Sequence, residues 1–240
     1  MRKDHRPYFI KYLDIAFQQW YARYFLRPQF DYLGKGALFL KPWHVEVFGW
    51  PISLDDYANV IATSDKRVRL TVWSDTGETG RIRIGKYALI CPGVRISSAL
   101  DIAIGDSCML AQGAYVTDSD WHGIYDRCIS IGRKAAVKLG NNVWIGDSAI
   151  VCKGVTIGNN SIVGAGSVVV RDIPPNVVAA GNPADIIREL DPEKHMGTRA
   201  EWFAEPEKLA SQFMKMDREA LKSNKISGWL RSLFFPKRGD

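Results

Sequence analysis

An apolar residue recurs at every sixth position along the second half of this chain. The series runs without interruption over Leu139, Ile145, Val151, Ile157, Val163 and Val169. A single α-helix repeats its apolar face at about 3.6 residues and a single strand at about 2 residues, so neither element produces this spacing. Small or apolar residues follow each member by four positions, at Val143, Ala149, Val155, Ser161, Ser167 and Ile173. Each six-residue unit is therefore predicted to be a short strand followed by a tight corner.

Stacked units of this kind form a parallel β-helix, because no single coil can bury its apolar side alone. The same spacing occurs upstream. A shorter series precedes it, in which Leu54 is followed four positions later by Ala58, and Val60 by Ser64. The stronger upstream members are Ile84, Ile90, Ile96, Ile104, Leu110 and Val116. A β-sandwich of short strands is the alternative, but sandwiches need turn signals about every 8–12 residues, and the six-residue register disfavours it.

The segment GNNVWIGDSAIVCKGVTIGNNSIVGAGSVVVRDIPPNVVAAGNPADIIREL, residues 140–190, closely resembles the C-terminal coils of hexapeptide-repeat acyltransferases of the galactoside, maltose and xenobiotic acetyltransferase type. The weaker repeats extend this resemblance to residues 43–190. The resemblance implies a mainly β fold, a left-handed parallel β-helix of hexapeptide repeats. It also implies a homotrimer with active sites between subunits and an acyl-coenzyme A donor, acetyl-CoA in the simplest case.

The ends of the chain have a different pattern, which predicts three parts. Residues 1–42 are predicted to be an N-terminal helical extension, because residues 8–26 carry an amphipathic stripe that Pro28 closes. Residues 43–183 are predicted to be the β-helix domain, with a loop over residues 118–136. Residues 184–240 are predicted to be a helical, basic tail, with a short helix at 184–190 and a longer one at 199–223 interrupted by Pro206.

Composition favours an enzyme of the cytoplasm. The four cysteines, Cys91, Cys108, Cys128 and Cys152, show no metal-binding spacing, and we expect buried, reduced thiols. We find neither a signal peptide nor a membrane span in the sequence. The net charge of +6 is scattered, without a nucleic-acid recognition motif, so nucleic acid is not an expected partner.

The last segment, KISGWLRSLFFPKRGD, combines apolar and basic residues. One interpretation is a segment that binds a membrane surface or a partner, which would place the enzyme at the periphery of the membrane. The other is that the segment packs on the β-helix or on a neighbouring subunit. We favour packing.

The chemistry is expected where the repeat breaks. After Val116 the six-residue spacing predicts an apolar residue at position 122, but the sequence there is TDSDWHGIYDR and the residue is His122. Loops that leave a rigid scaffold commonly hold functional groups. In the acyltransferases that this chain resembles, a loop at this place contains the catalytic histidine, and His122 matches it.

Acyl transfer from a thioester needs a base that removes the acceptor's proton during attack, and histidine suits this role at neutral pH. We therefore predict His122 as the general base. Asp120, or alternatively Asp118, is predicted to hold the imidazole in the tautomer that accepts the proton. Cys128 lies in the same loop, but it has no identifiable activating partner, so a covalent acyl-enzyme is disfavoured.

The resemblance also assigns residues to the donor. Backbone at Ala165 is expected to contact the pantetheine arm, and basic residues near the end of the coils are expected to face the nucleotide phosphates, as suits guanidinium groups. Trp144 is predicted either to lie near the thioester or to pack between subunits. The donor-binding residues implied are Trp144, Asp147, Gly164, Ala165, Val170, Arg171, Pro183 and Arg188.

The acceptor is predicted to be a small molecule with a hydroxyl or amino group, most simply a saccharide, by analogy with the family. Trp121, Tyr125, Asp126 and Arg127 in the loop, with the segment at residues 64–80, are predicted to form its wall. No metal is expected, because a metal enzyme of the γ-carbonic anhydrase type needs three histidine ligands, and the four histidines here are not spaced as a site. The alternative from another class is a non-catalytic β-helix that serves as a scaffold.

Overall fold

In the computed structural model of this chain, residues 3–75 and 78–238 are described. They divide into two compact units. The β-helix unit comprises Tyr21–Trp202, and the helical unit comprises the described parts of Met1–Trp20 and Phe203–Asp240.

The β-helix unit is a left-handed parallel β-helix with three flat faces, as the six-residue spacing and the family resemblance predict. Face A contains β1 (Tyr32–Leu33), β4 (Ile52–Leu54), β9 (Ile82–Ile84), β12 (Ile102–Ile104), β15 (Val137–Leu139) and β18 (Thr156–Ile157). Face B contains β2 (Leu38–Leu40), β5 (Asn59–Ile61), β10 (Leu89–Ile90), β13 (Met109–Leu110), β16 (Trp144–Ile145), β19 (Ile162–Val163), β21 (Val177–Gly181) and β22 (Ala184–Glu189). Face C contains β3 (Val45–Phe48), β6 (Val68–Val72), β11 (Arg95–Ser98), β14 (Tyr115–Thr117), β17 (Ile150–Val151) and β20 (Val168–Val169).

The core is the column of apolar side chains enclosed by the three faces. Leu139 lies beside Ile157, and Ile145 beside Val163, so three six-residue units complete one coil before the register repeats. Every member of the series from Leu139 to Val169 is at most 2% exposed. The residues four positions later, from Val143 to Ile173, are buried as well. The predicted inward register is therefore confirmed.

The stack begins before residue 43. Helix α1 (Tyr8–Tyr21) continues as a π-helix over Ala22–Leu26 and a short 3-10 helix over Arg27–Gln29. The first parallel strand follows at Tyr32, and Leu33, Phe39 and Val45 supply three apolar positions at the same six-residue spacing. A further 3-10 turn, Pro42–His44, forms a corner. The predicted boundary at residue 43 therefore falls inside the first coil.

One corner between faces B and C is enlarged. Ser64 was expected to point inward, but it is exposed in a turn closed by hydrogen bonds between the backbones of Thr63 and Lys66. Extra residues at this corner delay the next strand until Val68, which displaces Ser64 from the inward register. The predicted wall segment, residues 64–80, is thus a corner, strand β6 and a small hairpin of β7 (Ser74–Asp75) and β8 (Glu78–Thr79). Residues 76 and 77 of that segment lie outside the described residues.

The stack ends in a hairpin, and the short helix predicted at residues 184–190 is wrong. After the turn at Gly181, β22 runs back antiparallel to β21, with Gly181 beside Ala184 and Val178 beside Arg188. A short apolar segment such as ADIIREL does not distinguish helix from strand by its pattern, and here the free edge of face B provides a pairing partner. Helix α2 (Arg199–Trp202) completes the β-helix unit.

The helical unit contains the start of α1, α3 (Pro206–Leu221) and α4 (Ile226–Phe234). The interruption at Pro206 is as predicted. Lys11 forms an ion pair with Asp217 at 2.6 Å, which ties α1 to α3. Several large apolar side chains of this unit are exposed, among them Phe9, Leu13, Leu233, Phe234 and Phe235. Within the described part of the chain, every helix is too short or too polar to cross a bilayer.

Candidate functional site

The loop of residues 118–136 leaves the stack at the corner between faces C and A. Strand β14 ends at Thr117, and the next strand begins at Val137. The base of the loop is a narrow ladder in which the Asp120 amide donates to the Arg133 carbonyl at 2.9 Å, and Ser119 bridges Lys134. This ladder projects residues 121–131 beyond the coil.

Asp118 fixes the base of the loop to the preceding coil. Its carboxylate is 0% exposed and accepts three hydrogen bonds, from the Ser98 hydroxyl at 2.7 Å and from the backbone amides of Ala99 at 2.7 Å and Leu100 at 2.9 Å. A buried carboxylate is costly unless its oxygens are paired, and here both are. The sequence predicts Asp118 only as an alternative partner of the histidine, not as an anchor of the loop.

His122 lies in the projecting part of the loop and is exposed. Among the described residues its imidazole has no hydrogen-bond partner, so both ring nitrogens are accessible to a substrate. Asp120 does not orient it in this structure, because the Asp120 carboxylate forms an ion pair with Lys153 at 2.7 Å, on the next coil. Asp118 is bound within the coil. The expectation that one of these carboxylates holds the imidazole is therefore corrected.

The predicted acceptor residues of the loop differ in environment. Trp121 is partly buried, and its indole N–H lies 3.1 Å from the Tyr115 hydroxyl and 3.2 Å from that of Thr117. Tyr125 is fully exposed and Arg127 is exposed, so neither forms a wall within this chain. Trp121 instead continues an aromatic edge that sequence reasoning did not identify. This aromatic edge consists of Trp121, Trp73 at a ring-centroid distance of 6.2 Å, and Phe48 at 5.0 Å from Trp73.

Face C presents two outward columns beside the aromatic edge. The first contains Glu46, Arg69, Arg95 and Tyr115, which are successive partners in the parallel register. The second contains hydroxyl groups, from Thr71, Ser97 and Thr117 in the same three coils, of which Thr117 is buried under the loop. Strand alternation about the buried residues Leu70, Ile96 and Val116 was the signal in the sequence that places these side chains outside.

The predicted donor residues lie on the last coils, at two corners and on the hairpin. Asp147, Gly164 and Ala165 lie at the corner between faces B and C, where the Gly166 amide donates to the Asp147 carbonyl at 2.7 Å. Gly166 has a φ of +68°, and a Cβ there would have open space around it. Trp144 is 45% exposed on face B. This arrangement leaves an open strip along the corner that an extended ligand can follow.

Val170 and Arg171 lie at the next corner, between faces C and A, on the same side of the stack as the loop. Arg171 is exposed and pairs with Asp185 of the hairpin at 2.8 Å. Pro183 is in the hairpin turn and Arg188 is exposed on β22. The structure thus brings Arg171 and the hairpin together and places the Asp147 strip at the neighbouring corner.

The cysteines form no disulfide in the described structure. Burial raises the pKa of the Cys108 thiol to about 12, and it also raises the pKa values of Cys91 and Cys152. Cys128 is exposed in the loop, so the expectation of buried thiols is wrong for this residue. The described residues contain no group of three or more His, Cys, Asp or Glu side chains placed to bind a metal ion.

Residues 136–171 match the family model described as bacterial transferase hexapeptide (six repeats). This range contains Trp144, Asp147, Gly164, Ala165, Val170 and Arg171, and it excludes the projecting loop and the hairpin.

Galactoside O-acetyltransferase of Escherichia coli (strain K12) is 39% identical over 117 residues, which are 48% of this chain and 57% of that protein. The chain therefore matches little more than half the length of this relative. Among solved structures, a galactoside acetyltransferase in complex with coenzyme A is 26% identical, with a TM-score of 0.50. That match covers 75% of this chain and 78% of the solved one.

Proposed function

Because this chain contains the bacterial transferase hexapeptide repeat and is similar to galactoside O-acetyltransferase, we propose that it transfers an acetyl group from acetyl-coenzyme A to a hydroxyl or amino group of a small acceptor, such as a saccharide. One observation carries the proposal. An exposed histidine without a partner among the described residues projects from a firmly anchored loop, on the coils next to the matched segment.

In the proposed reaction, His122 is the general base. It accepts the proton of the acceptor hydroxyl or amine as the oxygen or nitrogen attacks the thioester carbonyl. The tetrahedral oxyanion collapses with release of the coenzyme A thiolate, which takes up the proton from the imidazolium. No acyl-enzyme forms, and no group on the protein is consumed.

The anchoring of the loop supports this role. A base must stay within hydrogen-bond reach of the proton it removes, and misplacement by about 1 Å can cost ~10²-fold in rate. Asp118 holds the base of the loop to one coil through three hydrogen bonds, and the ion pair of Asp120 with Lys153 holds it to the next. These two residues are proposed to position the loop as a whole rather than the imidazole directly.

The donor is proposed to lie along the last coils. The strip at Asp147, Gly164 and Ala165, which is open around the neighbouring Gly166, suits the extended pantetheine arm. Arg171 and Arg188 supply guanidinium groups for the phosphates, which guanidinium binds with two parallel hydrogen bonds. Arg171 already holds a carboxylate, that of Asp185, in an exposed pair that a phosphate can displace.

Substitution of His122 tests the catalytic proposal. His122→Ala is expected to lower kcat by ~10²–10⁴ with the KM for acetyl-coenzyme A and the Tm nearly unchanged. His122→Asn, which keeps a polar group but cannot accept the proton, is expected to be almost as slow. Free coenzyme A thiol, measured with a chromogenic disulfide, gives the rate. A His122→Ala protein that keeps more than about a tenth of the wild-type kcat contradicts the assignment.

Binding of coenzyme A separates the enzyme from a non-catalytic scaffold. A ligand at one hundred times its Kd stabilises a folded protein by ~2.7 kcal/mol, so the Tm is expected to rise clearly with millimolar coenzyme A. An unchanged Tm favours the scaffold.

The oligomeric state and location are further parts of the proposal. A homotrimer is supported by the exposed aromatic Trp144 and by the position of the Asp147, Gly164 and Ala165 strip, which lies at a different corner of the chain from the loop. Sedimentation equilibrium is expected to give three times 26.9 kDa. A cytoplasmic location is supported by four cysteines without a disulfide.

Peripheral association with an anionic membrane is proposed for the helical unit. Its support is the exposed apolar end of α4, with Leu233, Phe234 and Phe235 beside Lys237 and Arg238. The wild-type protein is expected to co-sediment with phosphatidylglycerol vesicles, and Phe234→Ser/Phe235→Ser to remain in the supernatant. Equal recovery of both proteins contradicts this part.

A further inference from the structure

The enlarged corner between faces B and C opens a groove of about 390 Å³ on the side of the stack that also bears the outward columns of face C. Its charged lining comes from Lys66 and Arg67 of the corner, from Arg69 and Arg95 of the first column, and from one carboxylate, that of Asp65. Glycines at Gly93 and Gly113, with φ of +79° and +72°, form the next two turns of the same corner and leave it without side chains there.

The groove has an excess of positive charge, because four cationic side chains face one carboxylate in the lining, Asp65, and one beside it, Glu46. The carboxylate of Glu46 is shared by Arg67 at 2.6 Å and Arg69 at 2.7 Å, so it neutralises only one of the two. The hydrogen bond from Arg67 holds the pKa of Glu46 below its usual value, so this carboxylate remains charged at neutral pH. Arg95 has no carboxylate partner among the described residues, and its guanidinium lies over the Tyr115 ring, 4.3 Å from the centroid.

This groove is connected to the loop by direct contacts. Arg95 stacks on Tyr115, the Tyr115 hydroxyl lies 3.1 Å from the indole nitrogen of Trp121, and His122 is the next residue. Coils repeat at about 4.8 Å, so Arg95 is about 5 Å and Arg69 about 10 Å along the stack from Tyr115.

Between the cationic column and the aromatic edge lie the half-buried hydroxyl groups of Thr71 and Ser97; the next one, that of Thr117, is buried beneath the loop and bonded to the Trp121 indole. The Thr71 hydroxyl donates to that of Ser97 at 3.0 Å, so these groups form a short polar row on the face. Flat aromatic rings and rows of hydroxyl groups are surfaces that sugar rings can contact through their apolar faces and their hydroxyl edges. The cationic column favours a ligand with a negative charge, which a neutral sugar does not carry.

From this arrangement we infer that face C binds an acceptor saccharide that carries an anionic group, a carboxylate or a phosphate, with Arg69 and Arg95 as the residues that select it. The anionic group lies one or two coils from Tyr115, and the attacked hydroxyl lies at His122. The inference rests on the proposed acetyl transfer and specifies its acceptor.

The donor's own phosphates do not account for the groove. The donor residues lie on the coils of β16 to β21. In the register of face C, Arg69 is three coil steps, about 14 Å, from Ile150 and four, about 19 Å, from Val168, and the arginines assigned to the phosphates lie beyond Val168. Guanidinium groups bind carboxylate and phosphate alike, so the two kinds of anionic acceptor share this chemistry and an experiment must separate them.

The test compares acceptors that differ in one group. Methyl β-glucuronide and methyl β-glucoside differ at C6, where a carboxylate replaces a hydroxymethyl group, and glucose 1-phosphate supplies a phosphate. The wild-type protein is expected to use at least one anionic acceptor with a kcat/KM about 10-fold or more above that of the glucoside. Preference for the glucuronide identifies a sugar acid, and preference for glucose 1-phosphate identifies a sugar phosphate.

Arg69→Gln and Arg95→Gln are expected to raise the KM for the preferred anionic acceptor about 5–10-fold, with kcat, the KM for acetyl-coenzyme A and the rate with the glucoside unchanged. Arg95→Lys keeps the charge and is expected to restore part of the preference. The matched control is Arg83→Gln, which removes an exposed arginine of face A that pairs with Asp101 at 2.9 Å and is expected to change nothing.

Equal use of neutral and anionic acceptors by the wild-type protein overturns the inference. So does an equal loss for both acceptor types in Arg95→Gln, because that result shows a structural role only. Titration calorimetry of the glucuronide and of glucose 1-phosphate keeps the result separate from the proposed function. If no acceptor is acetylated, but an anionic sugar binds and Arg95→Gln abolishes its binding, the acetyl-transfer proposal fails and the anion site stands.

Discussion

Replacing Asp118 by Asn is expected to destabilise the β-helix unit and to slow the reaction, although the two side chains have nearly the same shape. The carboxylate accepts from Ala99 with one oxygen and from Ser98 and Leu100 with the other. An amide has one oxygen, so its NH₂ group must face at least one of these donors. The less costly orientation turns the NH₂ toward the Ala99 amide and keeps the two other bonds.

The magnitude follows from this count. A hydrogen bond to a charged group contributes about 1.5–3 kcal/mol, and a buried donor left without an acceptor costs about 1–3 kcal/mol. The free energy of unfolding of Asp118→Asn is therefore expected to fall by about 2–4 kcal/mol. For a unit of this size, each kcal/mol lowers the Tm by about 2–4 °C, so a decrease of about 10 °C is expected.

Urea unfolding followed by circular dichroism measures the stability, and steady-state kinetics measures the consequence for the loop. Because Asp118 fixes the base from which His122 projects, kcat is expected to fall about 10-fold or more at a temperature where the variant is folded. Asp126→Asn is the matched control. Asp126 is in the same loop, is exposed, and accepts one bond from the Cys128 amide at 3.0 Å, which Asn can also accept. Equal stability of Asp118→Asn and Asp126→Asn would refute this account of the loop.

Three shorter predictions concern the core, the donor and the loop. Ile157→Asp places an unpaired charge at a 0% exposed position and is expected to yield insoluble protein, whereas Ile157→Val costs about 0.5–1.5 kcal/mol; a soluble Asp variant with a normal Tm contradicts the register. Arg171→Ala is expected to weaken the binding of coenzyme A, measured by titration calorimetry. If the guanidinium binds the ribose phosphate, the binding of dephospho-coenzyme A is weakened less; if it binds the pyrophosphate, the binding of both ligands is weakened alike. Unchanged affinities for both ligands rule out the contact. Lys153→Met removes the partner of Asp120 and is expected to lower kcat while the Tm changes little, since a part-exposed ion pair contributes at most about 1 kcal/mol to stability. An unchanged kcat shows that this ion pair does not position the loop.

The core of the β-helix could be predicted from the sequence because burial constrains residue type at a fixed period. Ile145 and Val163 are apolar for one reason, the stacking of one coil on the next, and that reason leaves a regular signal. The start of the stack carries the same signal at Leu33, Phe39 and Val45, but only three members are present before the spacing breaks, because the position six residues after Val45 is Pro51. The boundary predicted at residue 43 was late for this reason.

The hairpin at the end of the stack could not be predicted in the same way. Whether Ala184–Glu189 is a helix or a strand depends on the free edge of face B, which the local sequence does not describe. The orientation of the Asp120 carboxylate likewise depends on residues that are distant in the sequence. Its closeness to His122 along the chain suggested a contact, but the ladder at the base of the loop and the amino group of Lys153, thirty-three residues away, determine where the carboxylate lies.

The outward positions of face C show where a repeat fold leaves room for function. Inward positions repeat because each must fill the same space, whereas an outward residue needs only to be compatible with a strand. Arg69, Arg95 and Tyr115 occupy equivalent outward positions in successive coils, and the fold requires none of these three residue types there. A guanidinium stacked on a phenol ring gains little stability at an exposed site, about 0.5–1 kcal/mol. The identity of such residues is therefore better explained by a ligand than by the fold, and the column that continues from Tyr115 toward the enlarged corner is the place where the acceptor's charge should be sought.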